Sequence, residues 1–213
     1  MAARLSQVPE FLVDHLARAQ KLGMIGPGRI DEHLEHSFRF AHALGQLRDR
    51  GLSGGDKVVD LGSGAGLPGL VLATFYRGPC YRLLEASVRK AALLRQGVRL
   101  GALHGVEVIE ARAEVIGRTT TGRAWASVVV VRAFGPPSVV AECGAPLLEM
   151  GGHLLVSLPP SGGRIWAEED GLRRLGMEPR GMSHGILALA QVRECPERYP
   201  RRIGVPRKRP LFG

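Results

Sequence analysis

Apolar residues recur at spacings of three and four through Val8, Leu12, Leu16 and Ala19, which predicts a helix over about 5–22. Gly23 and the Gly26-Pro27-Gly28 cluster end it. The same period returns in Leu34, Phe38, Ala41 and Leu44, predicting a second helix over 31–50 with Asp31 as cap and Gly51 as stop. After Gly54-Gly55-Asp56 short apolar runs begin to alternate with longer periodic stretches. Residues 57–61, 81–85, 106–110, 127–132 and 151–158 read as strands. Residues 67–75, 87–103, a stretch after Pro137 and 164–175 read as helices, and one or two further strands end near Val192. The unbroken valines 128–131 suit a strand covered on both faces. Strands alternating with helices predict an α/β fold, a mostly parallel sheet of about seven strands with helices on both faces. We divide the chain into an N-terminal helical extension (1–50), a core (51–195) and a Pro/Arg-rich tail (196–213).

Composition narrows the class. The 213 residues are 45% hydrophobic and 23% charged, enough for one packed domain and incompatible with wholesale disorder. No apolar run approaches the roughly 18 residues of a membrane span, and the N-terminus lacks a secretory pattern. Cys80, Cys143 and Cys195 are scattered with no CxxC, which fits a reducing cytoplasm and neither a disulfide framework nor a zinc site. We therefore expect a cytoplasmic protein without a membrane partner. The seven histidines show no metal spacing; His33 and His36, one helical turn apart near His42, suit a surface or interhelical role. We expect no metal.

Net charge is +9, of which the last eighteen residues carry +5 through Arg198, Arg201, Arg202, Arg207, Lys208 and Arg209 against Glu197. Net charge alone points only weakly to a polyanion, but this clustering is more informative.

The strongest local signal is Val58-Val-Asp-Leu-Gly62-Ser-Gly64-Ala-Gly66-Leu67-Pro68-Gly69. Alternate glycines directly after a strand allow a tight turn and let a ligand lie against bare peptide at the head of a helix. Gly64, Gly66 and Gly69 satisfy a dinucleotide pattern, and Glu85, closing the second strand, suits ribose hydroxyls of either cofactor. Asp60 favours S-adenosylmethionine, because an acid aimed at the cofactor's amino end would repel a pyrophosphate. The chain also lacks room for the separate substrate domain of most dehydrogenases, which leaves a nicotinamide-dependent reductase as a distant alternative.

Several further stretches resemble one family. The glycine segment is followed by Leu83-Leu-Glu85, Arg89-Lys90, Leu94-Arg95, Arg112-Ala-Glu114, Val131-Arg-Ala-Phe134 and the tail Tyr199-Pro-Arg-Arg-Ile-Gly-Val-Pro-Arg-Lys-Arg-Pro-Leu211. In this order they resemble the guanine-N7 methyltransferases of 16S ribosomal RNA, also called glucose-inhibited division protein B. The resemblance runs from about Leu22 to Val192 and includes the tail. It implies a Rossmann-like S-adenosylmethionine-dependent methyltransferase fold and a small-subunit RNA or 30S partner; we expect a monomer. Carried over by position, it implies cofactor contacts at Gly62 and Leu67, an adenine frame at Ala113 and Glu114, and Arg132 facing both cofactor and base.

Guanine N7 has a lone pair and no proton, so direct in-line transfer needs no general base, only positioning and fixed dipoles. The expected actors are Arg132, hydrogen-bonding the guanine edge or a phosphate, and Phe134, on which a splayed base stacks. The tail residues Arg201, Arg202, Arg207, Lys208 and Arg209, stiffened by Pro200, Pro206 and Pro210, read as an extended track along phosphates. Its removal is expected to weaken RNA binding and spare cofactor affinity. The chain departs from the family's pattern in its short N-terminal region. His33 is followed by Leu34-Glu-His36-Ser37 rather than leading to Asp-Ser. Ser157-Leu158-Pro159-Pro160 replaces Leu-Lys-Gly and loses a lysine. The cofactor half is thus intact and the substrate half altered. The rival readings are a non-catalytic RNA-binding or ribosome-assembly factor on the same scaffold, and a methyltransferase for another acceptor.

Overall fold

A seven-stranded sheet in the order β3-β2-β1-β4-β5-β7-β6 organises the computed structural model, which describes residues 7–47, 53–159, 166 and 169–213. The strands are β1 (Lys57–Leu61), β2 (Cys80–Glu85), β3 (Val106–Glu110), β4 (Ala126–Val131), β5 (Leu148–Ser157), β6 (Met177–Ser183) and β7 (Ile186–Gln191). The first five pair in parallel. β7 runs antiparallel to β5 and β6 antiparallel to β7, as a hairpin at one edge. Sheet order reverses between β1 and β4. Connections from these two strands leave in opposite directions and open a crevice at their carboxyl ends.

The helices are α1 (Glu10–Lys21), α2 (Ile30–Leu47), α3 (Gly69–Phe75), α4 (Val88–Leu100), α5 (Ala113–Ile116), α6 (Pro137–Gly144), α7 (Glu169–Arg174) and α8 (Val205–Lys208). Both faces of the sheet are covered, and β4 shows it residue by residue. Val128 and Val130 join the core beneath α1–α4, while Val129 and Val131 join the core on the opposite side. Every position of β4 is buried, each valine contributing roughly 1.5–3 kcal/mol.

Element boundaries follow the sequence pattern closely, with some differences. Asp31 does not cap α2. It lies in the helix's first turn, its carboxylate held by Arg29 at 2.7 Å. The four-residue helices α5 and α8 were not expected, being too short to show a period. The predicted beginnings at Leu5 and Arg164, the end at Arg50 with its Gly51 stop, and Pro160 lie outside the described residues.

The N-terminal extension is built into the core. Leu12, Leu16, Leu34, Phe38 and Leu44 are buried with residues of β1, β2 and β4. His15 of α1 donates through Nε2 to the carbonyl of Ala65 at 2.8 Å, so the extension supports the glycine loop itself. Gly97 of α4 permits this approach, because a side chain there would press on the His15 ring.

Candidate active site

The glycine loop folds over the end of β1, its Gly62 and Ser63 N–H groups donating to the Leu84 carbonyl at 2.9 and 3.0 Å. Its glycines answer different demands. A side chain on Gly62 would overlap the Phe134 ring, and one on Gly66 would meet Leu70 Cβ at 2.5 Å. Gly64 has a φ of +57° and faces open space, its nearest neighbour the Gly62 carbonyl oxygen at 3.9 Å from a built Cβ. The bare peptide at Gly64 therefore borders a cavity of about 460 Å³.

Gly62, Gly64, Leu67, Glu85, Ala113, Glu114, Arg132 and Phe134 all line this cavity. Asp60 and Gly66 do not, and both readings need correction. Gly66 is glycine because α3 packs against it. Asp60 shares a sheet face with Val58 and is 1% exposed behind the loop. Its Oδ2 accepts from the Gly69 N–H at 2.9 Å and so anchors the start of α3. Its Oδ1 is buried and has no hydrogen-bond partner among the described residues. Burial pushes the carboxyl up to about 7, against the opposing pull of the Gly69 N–H and, more weakly, of Arg132.

Glu85 closes the opposite wall. Its Oε2 accepts from Gly64 N–H at 2.9 Å and its Oε1 from Ser87 N–H at 2.7 Å, which holds the carboxylate against the loop. Each oxygen retains a lone pair for a hydroxyl donor. Ala113 and Glu114 begin α5 after β3, and Glu114 Oε1 also accepts from the Gly204 N–H at 3.1 Å.

Arg132 follows β4 directly, with Ala133 in the left-handed region at φ +54° and Phe134 seated on Gly62. Arg132 Nη2 lies 2.9 Å from His33 Nδ1, while Nη1 is buried without a partner among the described residues. Burial draws the guanidinium below its usual range, opposed by the charge of Asp60. The part of His33 was not foreseen; its spacing from His36 pointed only to a surface or interhelical role.

The C-terminal segment overturns the picture of an extended track. It folds back across α6, because its apolar residues have a place in the core. Tyr199 and Phe212 are 5% and 8% exposed, and Leu211 N–H donates to Ser138 Oγ at 2.7 Å. Arg118 and Arg123 donate to the carbonyls of Pro200 and Tyr199 at 2.7 and 2.8 Å. Arg201 is committed to Glu142 through Nε and Nη2 at 2.8 and 2.6 Å, so its guanidinium serves the fold. Arg202, Lys208 and Arg209 are exposed, and Gly204 and Arg207 form part of the cavity wall. Loss of the segment would remove that part of the cavity wall.

Among the described residues no group of three or more His, Cys, Asp or Glu could hold a metal, and no helix is long and apolar enough to cross a membrane. A doubly wound sheet in this order, with bare peptide after β1 and an acid after β2 at the switch point, defines a Rossmann-like S-adenosylmethionine-dependent methyltransferase. Solved structures share the fold. The M. jannaschii TYW2 structure in complex with AdoMet aligns at TM-score 0.53 and 15% identity, over 78% of this chain and 74% of that one. A putative S-adenosyl-L-methionine-dependent methyltransferase from Methanococcus maripaludis aligns at TM-score 0.53 and 15% identity, over 76% and 88%.

The family model of rRNA small subunit methyltransferase G matches residues 10–157, and the chain belongs to that family. Ribosomal RNA small subunit methyltransferase G of Roseiflexus castenholzii is 35% identical over 187 residues, covering 80% of this chain and 78% of its own. Its counterpart from Syntrophomonas wolfei is 34% identical over 197 residues, covering 87% of each.

Proposed function

We propose that this protein transfers a methyl group from S-adenosylmethionine to N7 of a guanine in 16S ribosomal RNA. The observation that carries the reading beyond family membership is Arg132, whose side chain lines the cavity with Phe134 and whose buried Nη1 has no hydrogen-bond partner among the described residues. A cationic donor left without a partner at the crevice calls for an anionic or carbonyl acceptor from a substrate. The residues also fit the cofactor. Bare peptide at Gly64 meets open space, and Glu85 offers acceptors to hydroxyls. When bound, S-adenosylmethionine supplies a methyl group activated by its sulfonium.

The chain's own task is then placement. Gly62, Gly64, Leu67, Glu85, Ala113 and Glu114, which line one cavity, would hold the cofactor. Phe134 offers an apolar face to a splayed base, and Arg132 directs hydrogen bonds to its edge or phosphate. Because N7 has no proton to lose, neither Glu85 nor Glu114 need act as a base, and both are held by backbone N–H groups. Holding reacting atoms about 3–3.5 Å apart in a water-excluding site is the main source of rate. Arg202, Arg207, Lys208 and Arg209 would meet the surrounding phosphates. We place the enzyme in the cytoplasm, working as a monomer on small-subunit RNA, free or within the 30S subunit.

The test is incubation with methyl-labelled S-adenosylmethionine and 30S subunits, or naked 16S RNA, that lack the modification, followed by mapping of label. Label in N7-methylguanine at one position is expected. Transfer to protein or a small molecule, with none to RNA, would overturn the reading.

A further inference from the structure

We propose that His33 of the N-terminal extension is a positioning residue, holding one arm of the Arg132 guanidinium so that the other is presented to the target base. This role rests on the function proposed above and assigns part of the catalytic centre to α2.

The hydrogen bond dictates its own direction. A guanidinium only donates, so at 2.9 Å His33 Nδ1 must accept from Arg132 Nη2, and the ring hydrogen of His33 resides on Nε2. That leaves Arg132 Nη1 buried and unpartnered, in a side chain that lines the cavity. Arginine has many rotamers, and fixing them costs free energy that an already anchored side chain does not lose again on binding. An unanchored Arg132 also has a competing destination: Asp60 interacts with it electrostatically and has an unpartnered Oδ1. His33 therefore opposes collapse of the guanidinium onto the acid behind the loop.

The backbone of His33 is held in α2, where Ser37 Oγ donates to its carbonyl at 2.8 Å, and the buried ring Nε2 has no partner among the described residues. One turn further on, His36 Nε2 and Ser157 Oγ are hydrogen-bonded at 2.7 Å. Ser157 ends β5, and β5 pairs with β4 up to Val131↔Val156. Two histidines a turn apart thus join α2 to the ends of two adjacent strands. The left-handed Ala133 constrains the backbone immediately beyond Arg132. Helix, strand ends and turn converge on one guanidinium.

The experiment is a double-mutant cycle on the full chain, reading single-turnover methyl transfer to unmodified 30S subunits and calorimetric binding of S-adenosylhomocysteine. His33→Ala is expected to slow transfer on the order of 10²-fold, the scale of a small misplacement of a catalytic group, with cofactor product affinity retained. In an Arg132→Ala background the same change is expected to cost nothing further, which a packing role would not produce. His33→Asn keeps an acceptor near the δ position and is expected to recover most of the rate, whereas His33→Gln moves the acceptor one bond outward and is not. Should His33→Ala lose the binding heat through misfolding, the Asn and Gln variants supply the same contrast. Additive losses in the cycle, equal rates for Asn and Gln, or a fully active His33→Ala would overturn the role. Failure of the unmutated protein to label RNA would overturn the proposed function, and this role with it, before any variant is compared.

Discussion

Arg201 grips Glu142 through Nε and Nη2 at 2.8 and 2.6 Å, and the carboxylate it grips has no exposed surface. The same carboxylate accepts from the Arg201 backbone N–H at 2.8 Å, so the C-terminal segment is pinned to α6 at Arg201 through both backbone and side chain. Removing one partner of such a pair strands a charge in the interior. We expect Arg201→Met to destabilise the protein by about 3 kcal/mol, read as a lower denaturant midpoint. Cofactor affinity should fall with it, because Gly204 and Arg207 of the loosened segment line the cavity.

The exposed cations of the segment should behave in the opposite manner. Arg202→Ala, Lys208→Ala and Arg209→Ala are surface changes expected to leave stability within about 0.5 kcal/mol. Each that meets a phosphate should weaken RNA binding and reduce the salt slope by about 1 in a filter-binding or anisotropy titration. Unchanged slopes in all three would remove this segment from the RNA interface.

The glycine loop allows stability and cofactor binding to be separated. Gly66→Ala drives a methyl into Leu70 of α3 at a φ of +98°, so it should destabilise the fold by about 1–3 kcal/mol for the core clash, with backbone strain added, read as a lower melting temperature. Gly64→Ala meets open space and carries only the left-handed backbone penalty of about 1–2 kcal/mol. Its methyl group projects where a ligand would lie against the peptide. Calorimetry should show cofactor affinity falling further in Gly64→Ala than its loss of stability explains.

Acid sensitivity should be masked in the unmutated protein. Burial lowers His36 to about 4 from its ordinary 6.5, and lowers His15 as well. The folded state therefore holds fewer protons than the unfolded one between these values. This contribution to stability is complete above 6.5 and is lost as pH falls toward about 4. Asp60 is opposite: raised from 3.8 to about 7, it retains a proton in the folded state, so its contribution is complete below 3.8 and is lost as pH rises toward about 7. The two slopes oppose each other over the shared window. Asp60→Asn should remove one of them and expose a decline in melting temperature between about pH 6.5 and 4 that is steeper than in the unmutated protein.

Replacing Arg132 by lysine keeps a charge but not the planar fork, one nitrogen of which meets His33 Nδ1 at 2.9 Å. Single-turnover transfer should fall by roughly 10²–10³, as when one preorganised donor is lost. Cofactor affinity should change much less.

Much of this was legible in the residues. The bounds of β1 and β3 follow from apolar runs between turn signals, and the four consecutive valines of β4 were sufficient to predict cover on both faces. Gly62, Leu67 and Arg132, carried over from the family resemblance, and Glu85, read from the end of the second strand, all line the cavity, because the carboxyl ends of the parallel strands gather there. Asp60 was misread for a reason sequence cannot supply: alternation sends its side chain to one face, but which face lies under the loop depends on how the sheet is covered.

The linear pattern by itself determined the α/β class, the glycine loop and the family to which the chain belongs, because each depends on short-range periodicity or on contiguous residues. Only the tertiary structure decided what the charges do. Local spacing placed Arg201 in a basic run, whereas a buried acid fifty-nine residues away in α6 claims it. Local spacing made His33 an interhelical residue, whereas the end of β4, ninety-nine residues on, sets it against Arg132. A charged group takes the partner that best offsets its lost hydration, and that partner is chosen in space, after the core has brought distant segments together.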